Sequence, residues 1–192
     1  MSHKQPTLYI VVPCYNEEAV LAETAKQLSA KLQELVQKKQ IHSDSKIMFV
    51  NDGSKDQTWS KICDLHKKNS DIVGISLSRN RGHQNALLAG LMTAKTRADS
   101  VISMDADLQD DINVIDQMLE KYQDDAEIVY GVRSSRQKDS WFKRTTAEGF
   151  YKFMKLMGVD VIFNHADYRL TSRKVLDELE KYQEVNLFLR GI

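Results

Sequence analysis

The sequence is poor in cysteine and proline, with two of each among its 192 residues, and it contains no long apolar run. Cys14 and Cys63 lie far apart, in neither a Cys-x-x-Cys pair nor a Cys/His cluster. That spacing excludes a disulfide framework and a structural zinc site, and both read as ordinary thiols of a reducing compartment. The chain is polar from Met1 to Thr7 and then apolar only from Leu8 to Val12, too short a run for the apolar region of a signal peptide. No stretch approaches the ~20 apolar residues needed to cross a bilayer. The expectation is a chain that begins in the cytosol and carries no spanning helix within these residues. An excess of charge is missing too, since 27 Lys and Arg face 27 Asp and Glu. No overall field draws in nucleic acid or an anionic membrane, so electrostatic specificity is local.

What is present is an ordinary globular composition, 42% hydrophobic and 28% charged, which excludes disorder. The length suits one well-buried domain, so residues 1–192 are expected to form a single domain. The final run, Asn186 to Ile192, is apolar and has neither a closing helix nor a charged tail. It reads as the cut end of a longer protein.

Short β-branched runs alternate with stretches of helical period. Leu8 to Val12, Lys46 to Asn51, Ile72 to Ser78, Val101 to Met104 and Ile128 to Val132 are predicted strands. Glu17 to Gln40, Asp56 to Asn69, Gln84 to Thr96 and Asp111 to Tyr122 are predicted helices, the first with an apolar stripe through Val20, Leu21, Leu28, Leu32, Leu35 and Val36. This alternation predicts an α/β fold with a doubly wound, mainly parallel sheet covered on both faces. Ligands of such sheets bind beyond the carboxyl ends of the strands. After Gly131 the character changes to a basic loop from Arg133 to Lys138, an aromatic helix from about Trp141 to Met157 and a mixed stretch from Phe163.

The strand ends carry the candidate chemistry. Where a dinucleotide-binding protein needs a glycine-rich turn, the first strand is followed by Pro13-Cys-Tyr-Asn-Glu-Glu18. Tyr15, Asn16 and Glu17 suit stacking on a base and hydrogen bonding to its edge or to a ribose; equally, Asn16 could cap a helix that the glutamates begin. Asp52, in Asn51-Asp-Gly-Ser-Lys-Asp56, lies at the same sheet edge, and Ser54 or Asp56 could cap the next helix. Arg79 and Arg81, in Ser78-Arg-Asn-Arg-Gly-His83, are candidates for a diphosphate, with Gly82 allowing close approach. His83 reads as a cap or surface residue. The fourth strand runs into Asp105-Ala-Asp-Leu-Gln-Asp-Asp111. Residues two apart in extended chain point the same way. Asp105 and Asp107 thus present two carboxylates that repel unless a cation lies near. A hard divalent ion, Mg²⁺ or Mn²⁺, takes such ligands and leaves positions for phosphates. Asp110 and Asp111 read as the cap and first turn of the following helix.

Taken in order, Val11 to Glu18, Val50 to Ser54, Ser78 to Gly82 and Asp105 to Gln109 resemble the family 2 glycosyltransferases. The resemblance runs from Tyr9 to Ile192 and is nearest to the branch acting on polyprenyl phosphates, which includes dolichyl-phosphate mannose synthases and bactoprenol glucosyltransferases. It implies the GT-A fold, a nucleotide-diphosphate-sugar donor, a divalent cation and inversion at the anomeric carbon. It assigns Pro13, Tyr15, Glu17 and Asp52 to the nucleoside, and Asp105, Asp107 and Gln109 to the metal and diphosphate. Arg133 and Arg144 match positions that hold the donor or acceptor phosphate. His165-Ala-Asp-Tyr-Arg-Leu170 looks like the second acidic motif, with Asp167 near the reacting sugar. The expected partners are a UDP-hexose and a polyprenyl phosphate, at the cytoplasmic side of a membrane reached through C-terminal helices beyond this chain; transfer to a saccharide hydroxyl, for which Asp167 would be the base, and a non-catalytic nucleotide-binding domain are the alternatives. The basic aromatic stretch from Trp141 to Met157 is expected either to lie on a membrane surface or to pack on the domain.

Overall fold

A computed structural model of the chain describes residues 5–132 and 165–182. Arg133, Arg144, the aromatic stretch from Trp141 to Met157 and the terminal run from Asn186 lie outside the described residues.

Within them, β1 (Leu8–Cys14), α1 (Leu21–Gln37), β2 (Lys46–Asn51), α2 (Thr58–Lys68), β3 (Ile72–Ser76), α3 (His83–Ala94), β4 (Ser100–Ser103), α4 (Val114–Gln123) and β5 (Ile128–Val132) alternate as the sequence predicts. Two elements beyond that pattern follow, β6 (His165–Ser172) and α5 (Arg173–Leu179). One six-stranded sheet has the order β3-β2-β1-β4-β6-β5. The first four strands in that order are parallel, and β6 runs antiparallel to both neighbours. The sheet is therefore mainly parallel, with one reversed strand inserted between β4 and β5.

Burial on both faces explains the apolar strands. From β1, Leu8, Ile10, Val12 and Cys14 enter one core with Leu21, Leu28 and Leu35 of α1, Ile62 of α2 and Met118 and Leu119 of α4. The intervening Tyr9 and Val11 enter a second core with Leu87 and Leu91 of α3 and Leu176 of α5. Period two in the strand thus meets period 3.6 in the helices on either side. Gly90 lets α3 lie close to the sheet, since a Cβ there would come within 2.4 Å of Val11 Cγ1. Across the first core, the buried Lys31 of α1 pairs with Asp116 of α4.

The chain leaves β1 for β2 and β3 on one side and returns to β4 on the other. The ends of β1 and β4 therefore flank a topological switch point, where a crevice opens in sheets of this kind. No helix among the described residues is long and apolar enough to cross a membrane.

Candidate donor-binding site

The loop after β1 is built by bracing. Asn16 adopts φ 57 and does not cap α1, which begins only at Leu21. Its N–H donates to Ser54 Oγ at 3.0 Å, and its side-chain oxygen accepts the Lys55 N–H at 2.9 Å. Glu17 N–H donates to Thr58 Oγ1 at 2.9 Å, and Glu18 Oε2 accepts the Gln57 N–H at 2.9 Å. The expected first turn of α1 is instead a buttress against the start of α2, which leaves Tyr15 40% exposed above the sheet edge.

The loop after β2 closes on the loop after β3. Asp52 is buried, and its Oδ1 and Oδ2 accept the N–H groups of Arg81 at 2.7 Å and Gly82 at 2.9 Å. Gly53 has φ 64, and a Cβ on it would stand 2.4 Å from the Arg79 carbonyl carbon. Only glycine fits that approach. Neither Ser54 nor Asp56 is the N-cap residue of α2, which is Gln57, but Asp56 Oδ1 accepts the N–H of Thr58 at 3.0 Å.

The loop after β4 is held from below, where buried Thr24 of α1 donates its hydroxyl to the Ala106 carbonyl at 2.6 Å. Asp107 Oδ1 accepts the Gln109 N–H at 3.1 Å, and Leu108 takes the left-handed φ of 54. A non-glycine residue there costs about 1 kcal/mol or more, which the surrounding fold must offset. Asp110 and Asp111 are neither the cap nor the first turn of α4, which starts at Val114 with Asn113 as N-cap; Asp111 Oδ1 instead accepts the Asn113 N–H at 2.9 Å in the turn ahead of it.

These loops enclose a cleft of about 250 Å³ lined by Pro13, Cys14, Tyr15, Glu17, Asp52, Asn80, Gly82, His83, Ala86, Asp105, Ala106 and Asp107. Six of the predicted residues meet there: Pro13, Tyr15, Glu17, Asp52, Asp105 and Asp107. Asn16, Arg79 and Gln109 do not line it. Asp167 belongs to β6, whose antiparallel register pairs Ser103 with Arg169. That register brings residue 167 to the sheet edge from which Asp105 and Asp107 extend. His83 is a cleft residue that local pattern did not reveal, since its Nε2 lies 3.8 Å from Asp105 Oδ1, a pairing made only by the fold.

The cleft concentrates negative charge. Burial raises the Glu17 pKa above its ordinary value, and repulsion from Asp107, Asp56 and Asp105 adds to the effect. Burial, with a smaller push from Glu17, also drives the Cys14 thiol far up. Among the described residues no three His, Cys, Asp or Glu side chains converge as a complete metal cage. Two carboxylates on one loop of this crevice suit a hard Mg²⁺ or Mn²⁺ ion that keeps positions for other oxygens. Asp105 and Asp107 fit that group.

Comparison with known proteins agrees with this geometry. Residues 9–180 match the model of the family described as Glycosyl transferase family 2. The chain is 56% identical over 192 residues to the uncharacterized glycosyltransferase YkoT of Bacillus subtilis, covering 100% of this chain and 57% of that protein. It is 41% identical over 184 residues to the bactoprenol glucosyl transferase of Shigella phage SfV, covering 95% of this chain and 57% of the relative. The chain thus spans little more than half the length of the curated relatives it matches.

Among solved structures, the mannosyltransferase PcManGT from Pyrobaculum calidifontis, in complex with GDP-Man and Mn²⁺, superposes with TM-score 0.60 at 20% identity, covering 94% of this chain and 48% of that one. The glucosyl-3-phosphoglycerate synthase of Mycobacterium tuberculosis, with Mn²⁺, UDP and glucosyl-3-phosphoglycerate, gives TM-score 0.59 at 17% identity, covering 88% of this chain and 58% of that one. The fold is that of the GT-A glycosyltransferases, and the chain belongs to glycosyl transferase family 2.

Proposed function

We propose that the protein is an inverting hexosyltransferase that moves a sugar from a nucleotide diphosphate, UDP-hexose by preference, to a polyprenyl phosphate at the cytoplasmic face of a membrane. The observation that carries the donor half is the cleft at the β1/β4 switch point, with Tyr15 on its rim and Asp105 and Asp107 on its wall. The acceptor half is supported by the 41% identity to a bactoprenol glucosyl transferase.

Each residue has a physical task in this reading. The exposed ring of Tyr15 offers a stacking surface for the base, and Pro13 and Glu17 bound the nucleoside. Asp105 and Asp107 hold the divalent ion, Mg²⁺ or Mn²⁺, with Gln109 following on the same loop. When bound, that ion neutralises charge developing on the departing nucleoside diphosphate. Arg133 and Arg144 are assigned to the phosphates by family position. A polyprenyl phosphate has a second pKa near ~6, by analogy with phosphorylated side chains, so it arrives already nucleophilic and needs no general base. Attack of its oxygen on the anomeric carbon, from the face opposite the leaving group, breaks the bond to the nucleoside diphosphate and inverts the centre.

The test is transfer of labelled hexose from UDP-hexose into an organic-extractable polyprenyl phosphate, with Mn²⁺ or with EDTA. Metal-dependent labelling of the lipid supports the reading. Labelling of a saccharide hydroxyl instead replaces the acceptor assignment, and tight nucleotide binding with no turnover on either acceptor points to a non-catalytic nucleotide-binding domain.

A further inference from the structure

Among the described residues that line the cleft, Glu17, Asp52, Asp105 and Asp107 carry carboxylates and His83 carries a basic side chain. An anionic diphosphate therefore meets described walls that are acidic, with His83 as their basic donor. Asp52 turns both its oxygens to the backbone of Arg81 and Gly82 and so fixes the segment leading into His83. From behind, α3 is seated through buried Ala86, Leu87 and Leu91 and through the close approach at Gly90. His83 is thus held firmly, yet its side chain remains 40% exposed. Its Nε2 stands 3.8 Å from Asp105 Oδ1, beyond hydrogen-bond distance. An ion pair this exposed adds little to stability.

Resting on the donor reading above, we propose that His83 contacts the donor directly, its Nε2–H donating a hydrogen bond to a diphosphate oxygen lodged between the start of α3 and Asp105. A neutral imidazole in the Nε2–H tautomer suffices for this contact. The acceptor oxygen is charged, which strengthens the bond. The contact is selective for the phosphate beyond the first, so it distinguishes a nucleoside diphosphate from a monophosphate.

The experiment is calorimetric titration of the wild-type chain, His83→Ala and His83→Gln with UDP and with UMP in Mn²⁺, repeated with GDP and GMP. Thermal unfolding of the same variants confirms that they are folded. His83→Ala is expected to weaken diphosphate binding about tenfold, the equivalent of one charge-assisted hydrogen bond, while monophosphate binding stays within about twofold. His83→Gln, whose amide N–H has similar reach, recovers part of the loss. Unchanged diphosphate affinity in folded His83→Ala, or equal weakening of mono- and diphosphate, overturns the assignment while leaving the donor reading in place. Absence of nucleotide binding by the wild-type chain overturns both.

Discussion

Asp52 Oδ1 accepts the backbone N–H of Arg81 at 2.7 Å, so one buried carboxylate ties the end of β2 to the loop that introduces α3. Its other oxygen takes the N–H of Gly82. Asp52→Ala removes both charge-assisted bonds and strands the Arg81 N–H, while the Gly82 N–H keeps its bond to Asn80 Oδ1, at a cost of about 2 kcal/mol. Nucleotide affinity should fall with it, because Asn80, Gly82 and His83 lose their anchor. Asp52→Asn, which keeps the volume and one acceptor, should lose less on both counts. Urea unfolding and UDP titration measure the two effects, and an unshifted midpoint for Asp52→Ala would show that the carboxylate anchors nothing.

Gly53 makes that contact possible. At φ 64, with a Cβ position 2.5 Å from the Asn80 nitrogen, alanine meets both an unfavourable backbone region and another segment's main chain. The left-handed conformation alone costs roughly 1–2 kcal/mol, and the clash adds to it. Gly53→Ala should therefore lower the unfolding midpoint and weaken UDP binding together, whereas Gly82→Ala, with open space at its Cβ position, should suffer only the backbone penalty of its φ of 85. Equal losses in the two variants would argue against the packing explanation.

The contrast between these loops and the strands marks what was legible in the sequence. The bounds of β2 agree with the predicted run because a strand buried on both faces is continuous in apolar and β-branched residues, and β5, at the sheet edge, is still marked by its β-branched run. The reversed strand β6 was not, because Arg169, Thr171 and Ser172 are buried beside Tyr168 and Leu170 and break the apolar run. At the site, the carboxylates of Asp105 and Asp107 were legible from their position just past a strand. The role of Asn16 as a brace and the approach of His83 to Asp105 depend on contacts across 39 and 22 positions of chain, which no local pattern carries.

Glu17 predicts a pH dependence. Burial first, then repulsion from Asp107, Asp56 and Asp105, holds its folded-state pKa above the ordinary value of about 4.3. Between those two values the folded chain keeps a proton that the unfolded chain has released, so stability falls as pH rises through that window. Glu17→Gln abolishes this contribution: the variant should match wild type below the window and exceed it above. Unfolding midpoints measured across the window in EDTA decide the matter, and parallel curves for the two proteins would contradict it.

Asp107 is exposed in the cleft wall, where among the described residues its side chain accepts the local Gln109 N–H. Asp107→Ala should therefore leave the ligand-free unfolding temperature nearly unchanged. Wild-type protein should gain about 2.7 kcal/mol of stability at UDP one hundredfold above its Kd in Mn²⁺, and the variant should lose most of that gain. EDTA should reproduce the loss in wild type. A UDP shift that survives both treatments would remove Asp107 from the proposed metal site.

Asp167 separates the two acceptor chemistries. The β6 register brings this residue to the sheet edge that carries Asp105 and Asp107. A sugar hydroxyl must lose a proton as it attacks, and removing its general base lowers the rate by about 10²–10⁴. A polyprenyl phosphate already carries the attacking charge, so the same change should cost it far less. Asp167→Asn, assayed with a polyprenyl phosphate and with a saccharide acceptor from one labelled donor, reads this difference directly. A small loss on the lipid beside a large one on the saccharide fits an acceptor that brings its own nucleophile. A hundredfold loss on the lipid would make Asp167 a participant in phosphate transfer as well, and the base-free mechanism would have to be abandoned.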